Sequence, residues 1–148
     1  MMHQVYLSLG TNLGNRKRNI REAIEKIGEL VGVVERQSAL YETKPWGFSS
    51  PNDFINACVL VDTMLAPRQL LEATQRIEQE MGRIGKSVNG EYHDRIIDID
   101  ILLYDNIKVN EPDLIIPHPL MEEREFVMVP LNEIKRKYSC NYQEKKRQ

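Results

Sequence analysis

The sequence predicts an α+β domain of the ferredoxin-like type, ordered βαββαβ, with an antiparallel sheet and its helices packed on one face. Three observations predict it. Four short runs alternate apolar and polar residues, two stretches of helical period fall between them in the right places, and proline and glycine punctuate the rest. A chain of 148 residues has room for one core. We expect one domain over residues 1–138 and a flexible charged tail over 139–148.

Each element has its own signal. Gln4 to Leu9 alternates Val5, Leu7 and Leu9 with polar or mixed neighbours, the mark of a half-buried strand. The loop from Gly10 to Asn15 follows. Ile20, Ala23, Ile24, Ile27 and Val31 then recur at helical spacing, and Gly32 is the expected stop. Val33 to Tyr41 reads as the second strand. Lys44 to Asn52 is a long loop bearing Pro, Gly and Ser, of the kind that carries function in small domains. Ile55 to Val61 is the third strand, with Ile55, Ala57, Val59 and Val61 on one face. Pro67 suits the first turn of a second helix, whose inner stripe is Leu70, Ala73, Thr74, Ile77 and Met81. Residues 83–94 form a polar loop, and Ile96 to Tyr104 is the fourth strand. Pro112, Pro117 and Pro119 break the chain into turns before a short helical or irregular segment, Leu120 to Ile134.

Composition narrows the function classes. Net charge is −2, so no global field draws in nucleic acid or an anionic membrane. An anionic ligand has to be met by locally clustered Arg and Lys. Cys58 and Cys140 make neither a disulfide framework nor a metal-binding pair, and they read as one core thiol and one incidental thiol. There is no signal-peptide pattern at the N-terminus and no apolar run near the ~20 residues of a membrane span. The expectation is a cytoplasmic protein with no membrane or nucleic-acid partner.

The strand Ile97-Asp98-Ile99-Asp100-Ile101-Leu102-Leu103 carries the chemistry. Alternation sends Ile97, Ile99, Ile101 and Leu103 to the core and Asp98 and Asp100 together to the other side. Their Cα atoms lie roughly 6.6 Å apart, two strand rises. Two carboxylates this close repel one another and call for positive charge. Magnesium, which takes one or two carboxylates and fills its shell with phosphate oxygens and water, suits such a pair. Solvated acids on an exposed strand, or a pair bridged by Arg95, are the other readings of the same spacing.

Gly82-Arg83-Ile84-Gly85-Lys86-Ser87 imitates a phosphate-binding P-loop but lacks its spacing and its preceding strand. Its cations still count. Arg83, Lys86 and Arg95 flank the loop that leads to the aspartates, either closing over a polyphosphate or as ordinary surface charge.

Five segments together resemble the 6-hydroxymethyl-7,8-dihydropterin pyrophosphokinase family of folate biosynthesis: LSLGTNLGN, YETKPWG with NDFINACV, LLEATQRIEQEMGR, DRIIDIDILLYDN and IIPHPLMEEREFVMVPLNEI. They run in the family's order up to about Ile134. The resemblance implies transfer of pyrophosphate from ATP to the pterin hydroxymethyl group, with AMP as the other product. It implies two Mg²⁺ held by Asp98 and Asp100, with ATP as co-substrate. Arg83, Arg95 and Asp100 would be catalytic. Gln75, Glu78, Lys86, Ile101, His118 and Arg124 would meet the nucleotide. The pterin would lie between Phe54 and Phe126, with Thr43, Pro45, Trp46, Asn56 and Tyr92 around it. Read from the residues alone, the two phenylalanines more often belong to the core and His118 to an ordinary turn. A monomer is implied by the resemblance.

The chain departs from the family's pattern in three respects, one of them a loop from Arg83 to Arg95 about two residues longer than usual. Tyr92-His93-Asp94-Arg95 stands where the family commonly has Trp-Gly-Pro-Arg, and Pro119 follows the histidine where an aromatic is usual. Two rival functions exist: a two-metal phosphodiesterase with no pterin acceptor, and a non-catalytic module binding a small regulator. The first wants more acids than these, and the second gives no reason for paired strand acids flanked by three cations.

Overall fold

The structure is a computed structural model that describes residues 2–45, 50–82 and 96–135. Among these residues the elements run β1 (His3–Thr11), α1 (Arg16–Leu30), β2 (Gly32–Gln37), β3 (Tyr41–Thr43), β4 (Phe54–Thr63), α2 (Pro67–Glu80), β5 (Asp98–Tyr104), β6 (Val109–Glu111) and β7 (Leu114–Ile116). A 3₁₀ turn, Met121–Glu123, leads into a further helix, α3, over residues 125–135. None of these helices is long and apolar enough to cross a membrane.

The main sheet is antiparallel throughout, in the order β2-β4-β1-β5, with β3 also beside β4. Strand β1 is central, and its Val5, Leu7 and Leu9 are fully buried. They pack with Ile20, Ala23 and Ile27 of α1, Leu70 and Ile77 of α2, and Ile55, Ala57, Val59 and Val61 of β4. This is the core that the alternating and helical patterns predict.

Local chemistry sets the helix ends. Asn15 caps α1, its side chain accepting the Arg18 N–H at 3.1 Å. At the other end Gly32 passes straight from helix to strand. A Cβ there would stand 2.0 Å from the Asp62 carbonyl oxygen, so no other residue fits without moving β4. Pro67 opens α2 as expected, and the Gln69 side chain accepts the Ala66 N–H at 2.9 Å.

Four expectations need correction. The predicted strand Val33 to Tyr41 is two strands. The chain leaves the ladder at Ser38, whose N–H donates to the Cys58 carbonyl and whose Oγ accepts the Cys58 N–H, both at 2.9 Å. Strand β5 begins at Asp98 and contains a bulge. Leu7 pairs with Ile101 and Tyr6 with Leu103, so Leu102 is an inserted residue. Leu102 stays on the face opposite α1 and α2, and the insertion turns Leu103 to that face as well, whereas alternation places Leu103 in the core. The proline-rich stretch after β5 makes a hairpin, β6 with β7, which Arg68 of α2 holds through Glu111 and Asp113.

The fourth correction concerns the layers. Helices α1 and α2 share one face, but α3 covers part of the other. Val127, Leu131 and Ile134 pack there on Cys58, Leu60 and Leu102. The physical reason is that β4 is apolar on both faces, so its second face needs a cover. Burial pushes the Cys58 thiol well above its usual pKa, which makes it an inert core residue as the sequence suggests.

Glu133 fastens α3 to the sheet. Its carboxylate accepts the Ala39 N–H at 3.1 Å and the Tyr41 hydroxyl. The bond to the carboxylate, with burial and the negative charge, raises the Tyr41 pKa. Replacing Glu133 by Ala removes these bonds at a half-buried site and is expected to cost about 1–2 kcal/mol. That corresponds to a thermal midpoint lower by roughly 3–8 °C. An unchanged midpoint by calorimetry would show that apolar contacts alone hold α3.

Candidate active site

The face of the sheet opposite α1 and α2 carries the predicted site residues in rows set by register. Thr43 pairs with Phe54. Tyr41 and Gly10 flank Asn56, and Gly10 in turn pairs with Asp98. In the next row Cys58 pairs with Ser8, and Ser8 with Asp100. Asn56 and Asp98 are therefore two strand spacings apart, roughly 10 Å.

Gly10 decides what lies between them. A Cβ at this position would meet Asn56 Oδ1 at 3.3 Å and Phe54 Cδ1 at 3.7 Å. With only hydrogen there, the floor between the amide and the aspartates stays open. Sequence reasoning took Gly10 only as the start of a loop. A glycine inside a strand is the signal for close approach of a ligand or another backbone.

Asn56 is buried, and its Nδ2 donates to Thr43 Oγ1 at 2.6 Å. That bond fixes the amide and turns Oδ1 to the Gly10 side, where a flat polar ring could be read. Phe54 is half-buried at the edge of the same face, and Pro45 is half-buried just beyond Thr43. Phe126, also half-buried, stands on α3 over this face, and the Arg124 guanidinium lies 5.6 Å from its ring centroid. The Arg124 carbonyl accepts the N–H groups of Val127 and Met128, so this residue caps α3.

Asp98 and Asp100 are half-buried, and Ile97, Ile99 and Ile101 behind them are buried in the core, as the alternation predicts. Among the described residues no three of His, Cys, Asp and Glu gather into a metal cage. A cation here would draw on these two carboxylates, with its other positions left to oxygen ligands from elsewhere. Magnesium accepts that donor set, and the small residues opposite, Ser8 and Gly10, leave space for it.

The outer edge of β5 is clamped at two points. Glu78 of α2 is buried, and its Oε2 accepts the Ile99 N–H at 2.7 Å. Further along, the His118 N–H donates to the Leu102 carbonyl at 3.1 Å. Between the clamps lies the backbone of Asp100 and Ile101. The Ile101 side chain itself faces the helical core, so a nucleotide base near it would meet the strand's edge rather than that side chain. The Leu120 N–H donates to His118 Nδ1 at 3.2 Å, which makes Nε2 the proton-bearing nitrogen of the neutral ring.

The structure thus brings Thr43, Phe54, Asn56, Asp98, Asp100 and Phe126 onto one face. It sets Glu78, Ile101 and His118 along one strand edge, and leaves Gln75 exposed on α2. The predicted residues Trp46, Arg83, Lys86, Tyr92 and Arg95 lie outside the described residues.

Comparison with known proteins bears on this arrangement. The family described as 7,8-dihydro-6-hydroxymethylpterin-pyrophosphokinase matches residues 6–136. The chain is 50% identical over 131 residues to the 2-amino-4-hydroxy-6-hydroxymethyldihydropteridine pyrophosphokinase of Porphyromonas gingivalis, covering 88% of this chain and 89% of that one. Its similarity to the protein of the same name from Methylorubrum extorquens is 40% identity over 134 residues, covering 90% and 83%.

Among solved structures, an HPPK-DHPS in complex with substrates superposes with a TM-score of 0.69 at 17% identity, covering 90% of this chain and 40% of that one. The wild-type HPPK-DHPS of Plasmodium falciparum with SDX-DHP gives 0.68 at 18% identity, covering 89% and 40%. This chain spans about two fifths of those solved chains, and at such identities the likeness is one of fold. With a match over residues 6–136 and relatives at 40–50% identity, the chain belongs to the 7,8-dihydro-6-hydroxymethylpterin-pyrophosphokinase family.

Proposed function

We propose that this chain transfers the pyrophosphoryl group of ATP to the hydroxymethyl oxygen of 6-hydroxymethyl-7,8-dihydropterin, releasing AMP, as a step of folate biosynthesis. The observation that carries the reading is the open floor at Gly10. It lies between an amide and aromatic pocket on one side and two carboxylates on the other. A flat heterocycle wants ring faces and a few fixed hydrogen-bond partners, which Phe54, Phe126, Asn56 and Thr43 supply. A polyphosphate wants cations, which Asp98 and Asp100 would hold as two Mg²⁺. When bound, those ions neutralise the phosphate charge.

The residues then act chiefly by positioning. Asn56 and the two phenylalanines aim the pterin's hydroxymethyl group across Gly10. His118 Nε2–H donates to the nucleotide with Arg124 nearby, and the base lies against the β5 edge between Glu78 and His118, with Gln75 at its rim. A bond forms from the hydroxymethyl oxygen to the β-phosphorus, and the bond from that phosphorus to the oxygen shared with the α-phosphate breaks, so AMP departs. The hydroxyl proton passes to Asp100 or to a water beside it. Arg83 and Arg95 would balance charge on the transferred and departing groups, and Lys86 would meet the nucleotide. The backbone at Trp46 would help read the pterin's amide edge, and Tyr92 would close over the ring. The matching segments support Trp46, Arg83 and Arg95; Lys86 is assigned as a cation of the same loop, and Tyr92 stands where the family commonly has a tryptophan. The sheet order supports the ferredoxin-like reading of the fold. We take residues 1–138 as the catalytic unit, acting as a cytoplasmic monomer on small molecules.

The test is AMP formation from ATP and Mg²⁺ with and without the pterin. AMP is expected only when the pterin is present. Equal AMP in both tubes would identify a nucleotide hydrolase, and folded protein that binds ATP yet forms none would have another acceptor.

A further inference from the structure

Arg16, the first residue of α1, reaches away from its helix to two neighbouring strands. Its Nη1 lies 2.7 Å from Glu42 Oε2 on β3 and donates to the Asp53 carbonyl, just before β4, at 2.9 Å. Glu42 directly precedes Thr43, and Asp53 directly precedes Phe54. Thr43 and Phe54 are themselves the last partners of the β3–β4 ladder.

That ladder is weak by construction, because β3 has three residues. Its end needs outside support. The loop before α1 supplies more of it: Asn12 Nδ2 donates to the Asn52 carbonyl at 3.1 Å. Asn19 Nδ2 in turn stiffens that loop, donating to Thr11 Oγ1 at 3.1 Å and to the Leu13 carbonyl at 2.8 Å. Between these ties lies a cleft of about 360 Å³ whose walls include Asn12, Arg16, Glu42, Asn52 and Asp53.

We propose that Arg16 is a positioning residue for acceptor binding, clamping together the ends of β3 and β4 that carry Thr43 and Phe54. Thr43 orients Asn56 through its hydroxyl, so the clamp reaches the amide that reads the acceptor. The proposal rests on the pterin reading above. The ion pair is partly solvated, with 31% of the Arg16 side chain and 57% of the Glu42 side chain exposed, so it adds little to global stability. Its effect is local, on the spacing of one strand end.

This gives a distinctive kinetic signature. Arg16→Met should raise the KM for the pterin about tenfold, the scale of one lost polar interaction. KM for ATP should stay within about twofold, kcat should change little, and the thermal midpoint should hold. Arg16→Lys should restore most of the pterin KM, because an ammonium can still bridge Glu42 and the carbonyl. Glu42→Gln, which removes the charge from the other side, should raise the same KM and add little to Arg16→Met in the double variant. A wild-type pterin KM in Arg16→Met overturns the clamp, as does an equal rise in both KM values with a fall in thermal midpoint. Wild-type enzyme that forms no pterin-dependent AMP overturns the pterin reading and the clamp with it.

Discussion

Replacing Asp100 by Asn is expected to lower kcat for pterin-dependent AMP formation by about a thousandfold or more, with the fold intact. The substitution is nearly isosteric on a half-buried strand position, and its neighbour across the ladder is the small Ser8. What changes is charge. One of the two carboxylates proposed to hold the cations becomes a neutral amide, and the surviving Asp98 would meet the polyphosphate alone. Asp98→Asn should behave in the same way. Pterin binding, read by fluorescence, should be retained in both, because Asn56 and Phe54 lie on β4, two strands away. Turnover like that of the wild type in either variant would sink the assignment of the pair to the phosphates.

The second large effect is on the acceptor. Asn56→Ala should raise the KM for the pterin about a hundredfold, equivalent to losing two hydrogen bonds of 1–2 kcal/mol each. ATP binding, measured by calorimetry, should be unchanged. The side chain is buried, its Nδ2 is held by Thr43, and its Oδ1 borders the space that Gly10 leaves open. An amide fixed in this way is arranged for recognition, and removing it also strands the Thr43 hydroxyl. A pterin KM within threefold of wild type would mean that backbone groups, not Asn56, read the ring.

Much of this was legible in the sequence because its signals are local. Helices α1 and α2 announce themselves by period, by Pro67 at the start of α2 and by Gly32 at the end of α1. The aspartate pair follows from strict alternation in Ile97-Asp98-Ile99-Asp100-Ile101. The site residues came from motif resemblance, and register then put several of them on one face.

What was hidden depends on contacts distant in the chain. The bulge at Leu102 is visible only against β1, where Tyr6 pairs with Leu103 and Leu7 with Ile101. The break at Ser38 reveals itself through Cys58, twenty residues away. Helix α3 was obscured by Pro130, which removes a backbone donor from its interior, and only the apolar second face of β4 explains why the chain still packs there as a helix. Gly10 and Arg16 matter for what stands beside them, and a linear pattern does not show neighbours.

The inserted Leu102 also makes β5 two half-strands of opposite phase. Upstream of it, even-numbered positions lie on the face away from α1 and α2. Downstream, Tyr104 turns inward, where its hydroxyl donates to the Leu65 carbonyl at the approach to α2. In unbroken alternation Tyr104 would share a side with Asp98 and Asp100, and the strand would have no aromatic anchor in the helical layer. The extra residue therefore insulates the carboxylate half from the anchoring half. Each can vary by its own rules, so the strand can be retuned for its ligand without loosening its hold on the core.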